Sequence, residues 1–188
     1  MYDKSNSNSY REKLKFLRNN SQHSKYWNIS YNLAIILSNF VYFRRPKKVL
    51  ELGTSNGVST LAIAENLDSN SKIITIEVDE RRFNEAKGNF ERFGKSKLIV
   101  QYNLELFDFL NNSNEKGFDL VFIDAAHKRY EEIVEILLSK QMIDKGSVII
   151  ADNVISHSYM KEFIEHMRNK FENTKLLEVD SGLLFVYL

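Results

Sequence analysis

From Lys47 onward the chain alternates short apolar runs with segments of helical period, and this alternation constrains the fold more than any other feature. The runs are KVLEL, IITIEV, KLIVQY, FDLVFID, SVIIAD, KLLEV and LLFVYL. Among the first five lie STLAIAENL, RRFNEAKGNFERF and YEEIVEILLSK, each with the spacing of an amphipathic helix. Strands that alternate with helices pair in parallel through right-handed crossovers, and runs so continuously apolar suit strands covered on both faces. The last two runs are separated only by Asp180, Ser181 and Gly182, too few residues for a crossover, so an antiparallel hairpin is expected there. The expected class is α/β: a doubly wound, mostly parallel seven-stranded sheet with a C-terminal antiparallel hairpin.

Ahead of this core, MYDKSNSNSY is polar and rich in Ser and Asn, which predicts a frayed start. Two helices are expected next, over about residues 11–20 and 26–43, the second carrying Leu33, Ile36, Leu37 and Phe40 at helical spacing. Pro46, the only proline, stops that helix and launches the first strand. We expect one domain over residues 1–188, with 1–45 a helical extension and 46–188 the doubly wound core. A hydrophobic fraction of 43% over 188 residues is enough for a single substantial core.

The longest apolar stretch, ISYNLAIILSNFVYF, is broken by Asn32, Ser38 and Asn39 and falls short of the roughly 20 residues a membrane span needs. It reads as a core helix, with no membrane role. No signal-peptide pattern opens the chain and there is no cysteine, so a cytoplasmic location is expected. The net charge of +1 hides an asymmetry: residues 1–50 carry ten Lys or Arg against two acids, and the remainder carries 16 against 23. A solvated basic helix face is favoured over an RNA-binding surface as the reading of that asymmetry.

VLELGTSNGVSTLAIA reads as strand, glycine loop, helix. Gly53 can take the positive φ of a tight turn, and Gly57 lets a ligand approach backbone where a Cβ would intrude. The G-x-x-x-G spacing is shorter than the dinucleotide fingerprint, and no G-K-[ST] follows to cradle a phosphate. Twenty residues past Gly57 the next strand ends at Glu77, placed to accept hydrogen bonds from both hydroxyls of a ribose. A nucleoside without an essential pyrophosphate fits these features best.

Glu51-x-Gly53-x-x-x-Gly57 followed by Glu77 resembles the binding signature of class I methyltransferases that use S-adenosyl-L-methionine. The resemblance implies a Rossmann-like sheet of seven strands, the last antiparallel. It also implies cofactor contacts from Glu51, Gly53, Thr54, Ser55, Gly57 and Ser59 along the methionine part, from Glu77 at the ribose, and from Val78, Asn103 and Asp124 around the nucleoside and the methyl group.

Asp124 ends the fourth strand, and Asp152 with Asn153 ends the fifth. Two carboxylates and a carboxamide with no thiolate suit a hard divalent cation, Mg²⁺ foremost. Taken singly, each residue reads equally well as a helix cap or an Asx turn. Together, FDLVFIDAAHKRYEEI and VIIADNV resemble the metal-dependent O-methyltransferases related to the catechol and caffeoyl-CoA enzymes. That resemblance covers about residues 29–188 and implies metal ligation by Asp124, Asp152 and Asn153. The implied acceptor is a small catechol-like phenol or vicinal diol whose two oxygens chelate the cation, and the implied assembly includes a homodimer contact.

His127 stands where that group usually has a lysine, three residues after Asp124. Imidazole titrates near neutral pH, so with Asp124 it is a candidate catalytic base. A substrate contact, a fourth metal ligand, a donor orienting Asp124 and an exposed helix-start histidine are the other readings open to it. Tyr130 is expected to pack or to bond to the loop. Tyr26, Trp27 and Tyr31 form either an aromatic wall over the site or part of the core. Two further classes are compatible with the pattern: a metal-independent methyltransferase acting on a small molecule or RNA, and a non-enzymatic nucleoside-binding interaction module. A NAD-linked dehydrogenase is disfavoured by the missing glycine, and nucleic acid is not favoured as a partner.

Overall fold

The computed structural model describes residues 12, 13, 15–20, 26 and 28–188. Residues 15–20 are helical. The core elements follow in the order α1 (Tyr31–Arg44), β1 (Lys48–Leu52), α2 (Val58–Glu65), β2 (Lys72–Ile76), α3 (Glu80–Arg92), β3 (Ile99–Tyr102) and α4 (Leu106–Asn112). Then come β4 (Leu120–Ile123), a 3₁₀ turn (His127–Arg129), α5 (Tyr130–Ser139), β5 (Val148–Ala151), α6 (Met160–Lys170), β6 (Asn173–Leu177) and β7 (Leu183–Tyr187). The seven strands form one sheet in the order β3-β2-β1-β4-β5-β7-β6. Pairings among β1 to β5 are parallel, and β7 runs antiparallel to both β5 and β6.

Each strand sends alternate side chains to opposite faces, as the period of two demands. Leu50, Leu52, Ile74, Ile76, Val121 and Ile123 pack with residues of α4, α5 and α6, whereas Val49, Ile73, Leu120 and Phe122 pack with residues of α1, α2 and α3. Both faces are therefore covered, which is why the central strands lack polar alternation. Two buried positions in these strands break the apolar rule. Glu51 and Thr75 are paired in register between β1 and β2, and both are fully buried.

One expected boundary is corrected. The helix read as beginning near Tyr26 begins at Tyr31, because Ser30 takes extended backbone angles and its hydroxyl accepts from the Leu33 N–H as an N-cap. Asn28 is instead drawn into the glycine loop, where its amide donates to Asn56 at 2.9 Å and to the Asn20 carbonyl at 2.8 Å.

In α3, Gly88 carries no structural duty: a Cβ there would meet nothing within 4 Å. Gly88→Ala should raise unfolding free energy by roughly 0.5–1 kcal/mol, because alanine loses less backbone entropy in a helix. Urea unfolding checks this, and an unchanged or lowered midpoint would show that the exposed turn needs glycine.

Candidate cofactor and metal site

Register brings the site together. Leu52 of β1 is level with Ile123 of β4, which is level with Ala151 of β5. The next residues, Gly53, Asp124 and Asp152, therefore leave the carboxyl edge side by side. β1 lies between β2 and β4, so the chain reverses its lateral direction there, and this is where open α/β sheets take ligands.

The glycine loop is held from both sides. Gly53 and Thr54 donate their N–H groups to the Ile76 carbonyl at 3.2 and 3.1 Å, and Asp124 donates to the Leu52 carbonyl at 2.9 Å. Gly53 has φ of 106°, and a Cβ on it would lie 2.6 Å from the Asp124 carbonyl oxygen. At Gly57 a Cβ would stand 2.5 Å from the Phe90 ring, so the missing side chain also lets α3 pack close under the loop.

Glu51 is enclosed by the hydroxyls of Thr60 and Thr75, the latter at 2.6 Å, and its Oε1 has no hydrogen-bond partner among the described residues. Burial pushes its carboxyl up to about 7, against hydrogen bonds from Ser59, Thr60 and Thr75, and the charge of Glu77 adds to the rise. Glu77 at the end of β2 accepts the Ser55 N–H at 2.7 Å through Oε2 and the Asp79 N–H at 2.9 Å through Oε1. Each oxygen keeps a lone pair for a further donor. The Asn103 amide donates to the carbonyls of Glu77 at 2.7 Å and Val78 at 3.1 Å, and Val78 is 67% exposed beside it.

A strap of chain crosses this loop. Ser55 donates its hydroxyl to the Tyr26 carbonyl at 2.7 Å, and the Tyr26 hydroxyl donates to Glu85 at 2.7 Å. Tyr26 is thus buried and pinned, and Tyr31 packs against the core. Of the aromatic wall considered above, these two belong to the packing, and Trp27 lies outside the described residues.

At the neighbouring loops, the Asn153 amide donates to Asp124 Oδ1 at 2.8 Å. Asp152, 1% exposed, accepts through Oδ1 the Asn153 N–H at 2.7 Å and the Ser181 hydroxyl at 2.8 Å. Burial, then the charges of Asp152 and Glu51, push Asp124 well above the usual carboxylate range, with the Asn153 amide opposing. Burial likewise raises Asp152 to about 6, against the bonds from Ser181 and Asn153 and with the charge of Asp180 adding. No ion pair reaches Glu51, Glu77, Asp124 or Asp152 among the described residues.

These residues fit a hard cation on one condition. Among the described residues no three His, Cys, Asp or Glu side chains could hold a metal together, so the set is complete only with the Asn153 carboxamide. Its nitrogen faces Asp124, and a rotation of the amide would offer its oxygen instead. Oδ2 of each aspartate takes no hydrogen bond from the described residues. Oxygen donors of this kind suit Mg²⁺ or Mn²⁺.

His127 opens the 3₁₀ turn after Ala126, whose φ is 56°. Its Nδ1 is buried without a hydrogen-bond partner among the described residues, and burial, then the charges of His157 and Lys128, lower its pKa, so the ring is neutral at pH 7. The Tyr130 hydroxyl donates to the Ile123 carbonyl at 3.1 Å, bracing the residue before Asp124. Two site neighbours were not singled out in the sequence: Ser181, which braces Asp152, and His157, which stacks on His127. Adjacency of β7 to β5 was the one available signal for Ser181; for His157 there was none.

No helix among the described residues is long and apolar enough to cross a membrane. The fold is that of known methyltransferase structures. An O-methyltransferase from Bacillus cereus in complex with SAH superposes with a TM-score of 0.78 at 24% identity, covering 96% of this chain and 91% of that one. A putative O-methyltransferase from Klebsiella pneumoniae gives 0.80 at 23% identity, covering 94% and 89%. In sequence, the chain is 33% identical over 130 residues to a catechol O-methyltransferase of Niastella koreensis, which is 68% of this chain and 58% of that protein. It is 30% identical over 146 residues to catechol O-methyltransferase B of Danio rerio, 76% of this chain and 55% of the other. The chain thus spans about half the length of the curated relatives it matches. The model of the O-methyltransferase family matches residues 4–183, nearly the whole chain, and the chain belongs to that family.

Proposed function

We propose that this chain transfers a methyl group from S-adenosyl-L-methionine to a hydroxyl of a small acceptor with two adjacent oxygen donors, with a divalent cation, Mg²⁺ foremost, held by Asp124, Asp152 and Asn153. The observation that carries the reading is the group of carboxyls at the switch point of the sheet. Glu51, Asp124 and Asp152 are raised by burial, and no ion pair offsets them among the described residues. Such a group is relieved by cationic ligands. When bound, a sulfonium cofactor with its ammonium group supplies positive charge and the electrophilic methyl, and a divalent cation lowers the pKa of a chelated hydroxyl.

The protein's own groups then have distinct tasks. Glu77 binds the ribose hydroxyls, Asn103 and Val78 border the base, and the loop from Gly53 through Thr54 and Ser55 to Gly57 carries the amino-acid part. Glu51, kept in place by Ser59, Thr60 and Thr75, balances the cofactor's charge. His127, neutral at pH 7, accepts the proton that the acceptor hydroxyl loses. The names of the relatives, catechol O-methyltransferases among them, support an acceptor of the catechol kind. Dimer formation rests on the family resemblance alone.

Calorimetric titration of Mn²⁺ or Mg²⁺ into protein loaded with S-adenosylhomocysteine tests the metal site. Saturable one-site binding is expected. No binding up to millimolar metal would remove the cation and leave Asp124 and His127 as the acid–base pair of a metal-free transfer.

A further inference from the structure

The turn between β6 and β7 touches both halves of the proposed site. The Val179 carbonyl closes it by accepting the Gly182 N–H at 2.8 Å, and Asp180 takes a φ of 51° inside it. On one side the turn is fastened to the loop that carries Asp152. Ser181 donates its hydroxyl to Asp152 Oδ1 at 2.8 Å, the Ser181 carbonyl accepts the Ile155 N–H at 3.1 Å, and the Gly182 carbonyl accepts the Val154 N–H at 3.4 Å. The fit is close: a Cβ on Gly182 would stand 2.7 Å from the Ile155 side chain.

On its other side the turn reaches the start of α1. Asp180 Oδ2 accepts the Ser30 hydroxyl and, at 3.3 Å, the Asn32 amide. Ser30 caps α1 with its oxygen, which accepts the Leu33 N–H at 3.1 Å, so the proton it gives to Asp180 forms a separate bond that the cap does not need. No ion pair reaches Asp180 among the described residues, so these donors are what its carboxylate serves. Two residues before Ser30, the Asn28 amide bonds to Asn56 of the glycine loop at 2.9 Å, and the Tyr26 carbonyl accepts the Ser55 hydroxyl at 2.7 Å. Hydrogen bonds and short backbone runs thus lead from the glycine loop through Asn28, Ser30, Asp180 and Ser181 to Asp152.

Resting on the reading of the site given above, we infer that Asp180 is a positioning residue: by holding the strap through Ser30, it couples occupation of the glycine loop to the aim of Asp152 at the cation. A cofactor on that loop adds contacts beside the residues that seat the strap, Ser55 and Asn56. The seated strap keeps Ser30 on Asp180. The turn then holds Asp152 Oδ1 on Ser181 and leaves Oδ2 for the cation. A ligand shifts such an equilibrium only as far as it prefers one state, and the effect is reciprocal. Asp180 acts through Ser30 and Ser181 and takes no part in the transfer.

Calorimetry of Mn²⁺ into protein with and without saturating S-adenosylhomocysteine gives the coupling as a ratio of two dissociation constants. In wild-type protein S-adenosylhomocysteine should tighten Mn²⁺ by about fivefold, the low end for linked sites, and Mn²⁺ should tighten S-adenosylhomocysteine by the same factor. Ser30→Gly keeps most of the helix cap and removes the bond to Asp180. It should bring the ratio to about one while leaving the Mn²⁺ affinity of cofactor-free protein within about twofold, which a general loss of structure would not do. Asp180→Ala should abolish the ratio as well. Asp180→Asn keeps an oxygen for the Ser30 hydroxyl but loses the charge beside Asp152, so Mn²⁺ should weaken equally with and without cofactor and the ratio should persist. The effect of each variant on cofactor binding itself is read in metal-free protein.

A ratio that survives Ser30→Gly or Asp180→Ala, or a ratio of about one in wild-type protein that binds both ligands, would overturn the inference and leave the proposed function standing. Loss of the ratio in Asp180→Asn would assign the effect to charge rather than to the bond with Ser30, and would overturn it too. Wild-type protein that binds no S-adenosylhomocysteine, or no Mn²⁺, removes the proposed cofactor or cation and this inference with it.

Discussion

Asp152→Ala should lower methyl transfer to a catechol acceptor by about 100-fold or more while leaving the affinity for S-adenosylhomocysteine within about threefold. The separation follows from position. Asp152 leaves β5, whereas the glycine loop leaves β1 and Glu77 leaves β2, with β4 standing between β5 and β1. The alanine variant also strips the acceptor from the Ser181 hydroxyl and the Asn153 N–H, each costing about 1–3 kcal/mol if left buried and unpaired. Loss of activity in that variant alone would therefore mix chemistry with stability.

Asp152→Asn separates them. It keeps the volume and one oxygen acceptor and removes the charge that raises Asp124. Without metal this variant should unfold no earlier than the native protein, because a like-charged neighbour has gone. It should nevertheless lose Mn²⁺ binding and turnover as the alanine variant does. Transfer of a labelled methyl group and calorimetry of both ligands give the readings. Loss of S-adenosylhomocysteine affinity in parallel with turnover in Asp152→Asn would assign the residue to cofactor binding and sink the division of labour.

Much of this arrangement is legible in the sequence. Continuous apolar runs such as VFI and VII announce strands covered on both faces, and the three residues between the last two runs admit only a hairpin. The lateral order of the sheet is a different matter. That β1 rather than β3 flanks β4 depends on how crossovers wrap, and no local pattern encodes it. The helix start was misplaced because Tyr26 and Ile29 fit helical spacing as well as Leu33 does, whereas the Asn28 amide reaches a partner 28 residues away. Long-range polar pairing of this kind has no periodicity to betray it.

The candidate site divides along the same line. Asp124 and the Asp152-Asn153 pair stood out because acids at the end of apolar runs have a local cost that a ligand can justify. The Phe90 ring beside Gly57 has no signal in the sequence, which shows that a side chain is absent but not what fills its place. His157 and Ser181 enter through contacts made across loops, and only the folded chain reveals them.

Gly53→Ala should be among the most damaging single-methyl additions in the protein, for reasons that join the two halves of the site. The native φ of 106° lies outside what an L side chain accepts, and holding alanine there costs about 1–3 kcal/mol. The new Cβ would also stand 2.6 Å from the carbonyl oxygen of Asp124 and 3.1 Å from the Ala125 Cβ. Backbone cannot swing aside as a flexible side chain does, and overpacking of this kind adds about 1–3 kcal/mol. Together the expected loss is about 2–6 kcal/mol, or on the order of 10 °C in melting temperature for a chain of this size. Gly94→Ala is the control without a clash: Gly94 has φ of 65°, inside the left-handed region that alanine can reach at a smaller cost, and a Cβ there meets nothing within 4 Å. If the clash is relieved by displacement rather than unfolding, the segment that moves is the one carrying Asp124, so weaker Mn²⁺ binding should accompany any folded Gly53→Ala protein. Urea unfolding of the two variants, with metal titration of whatever remains folded, decides the matter. Equal stability of the two, with metal affinity intact, would show that the cofactor loop and the metal loop are not locked against each other at this glycine.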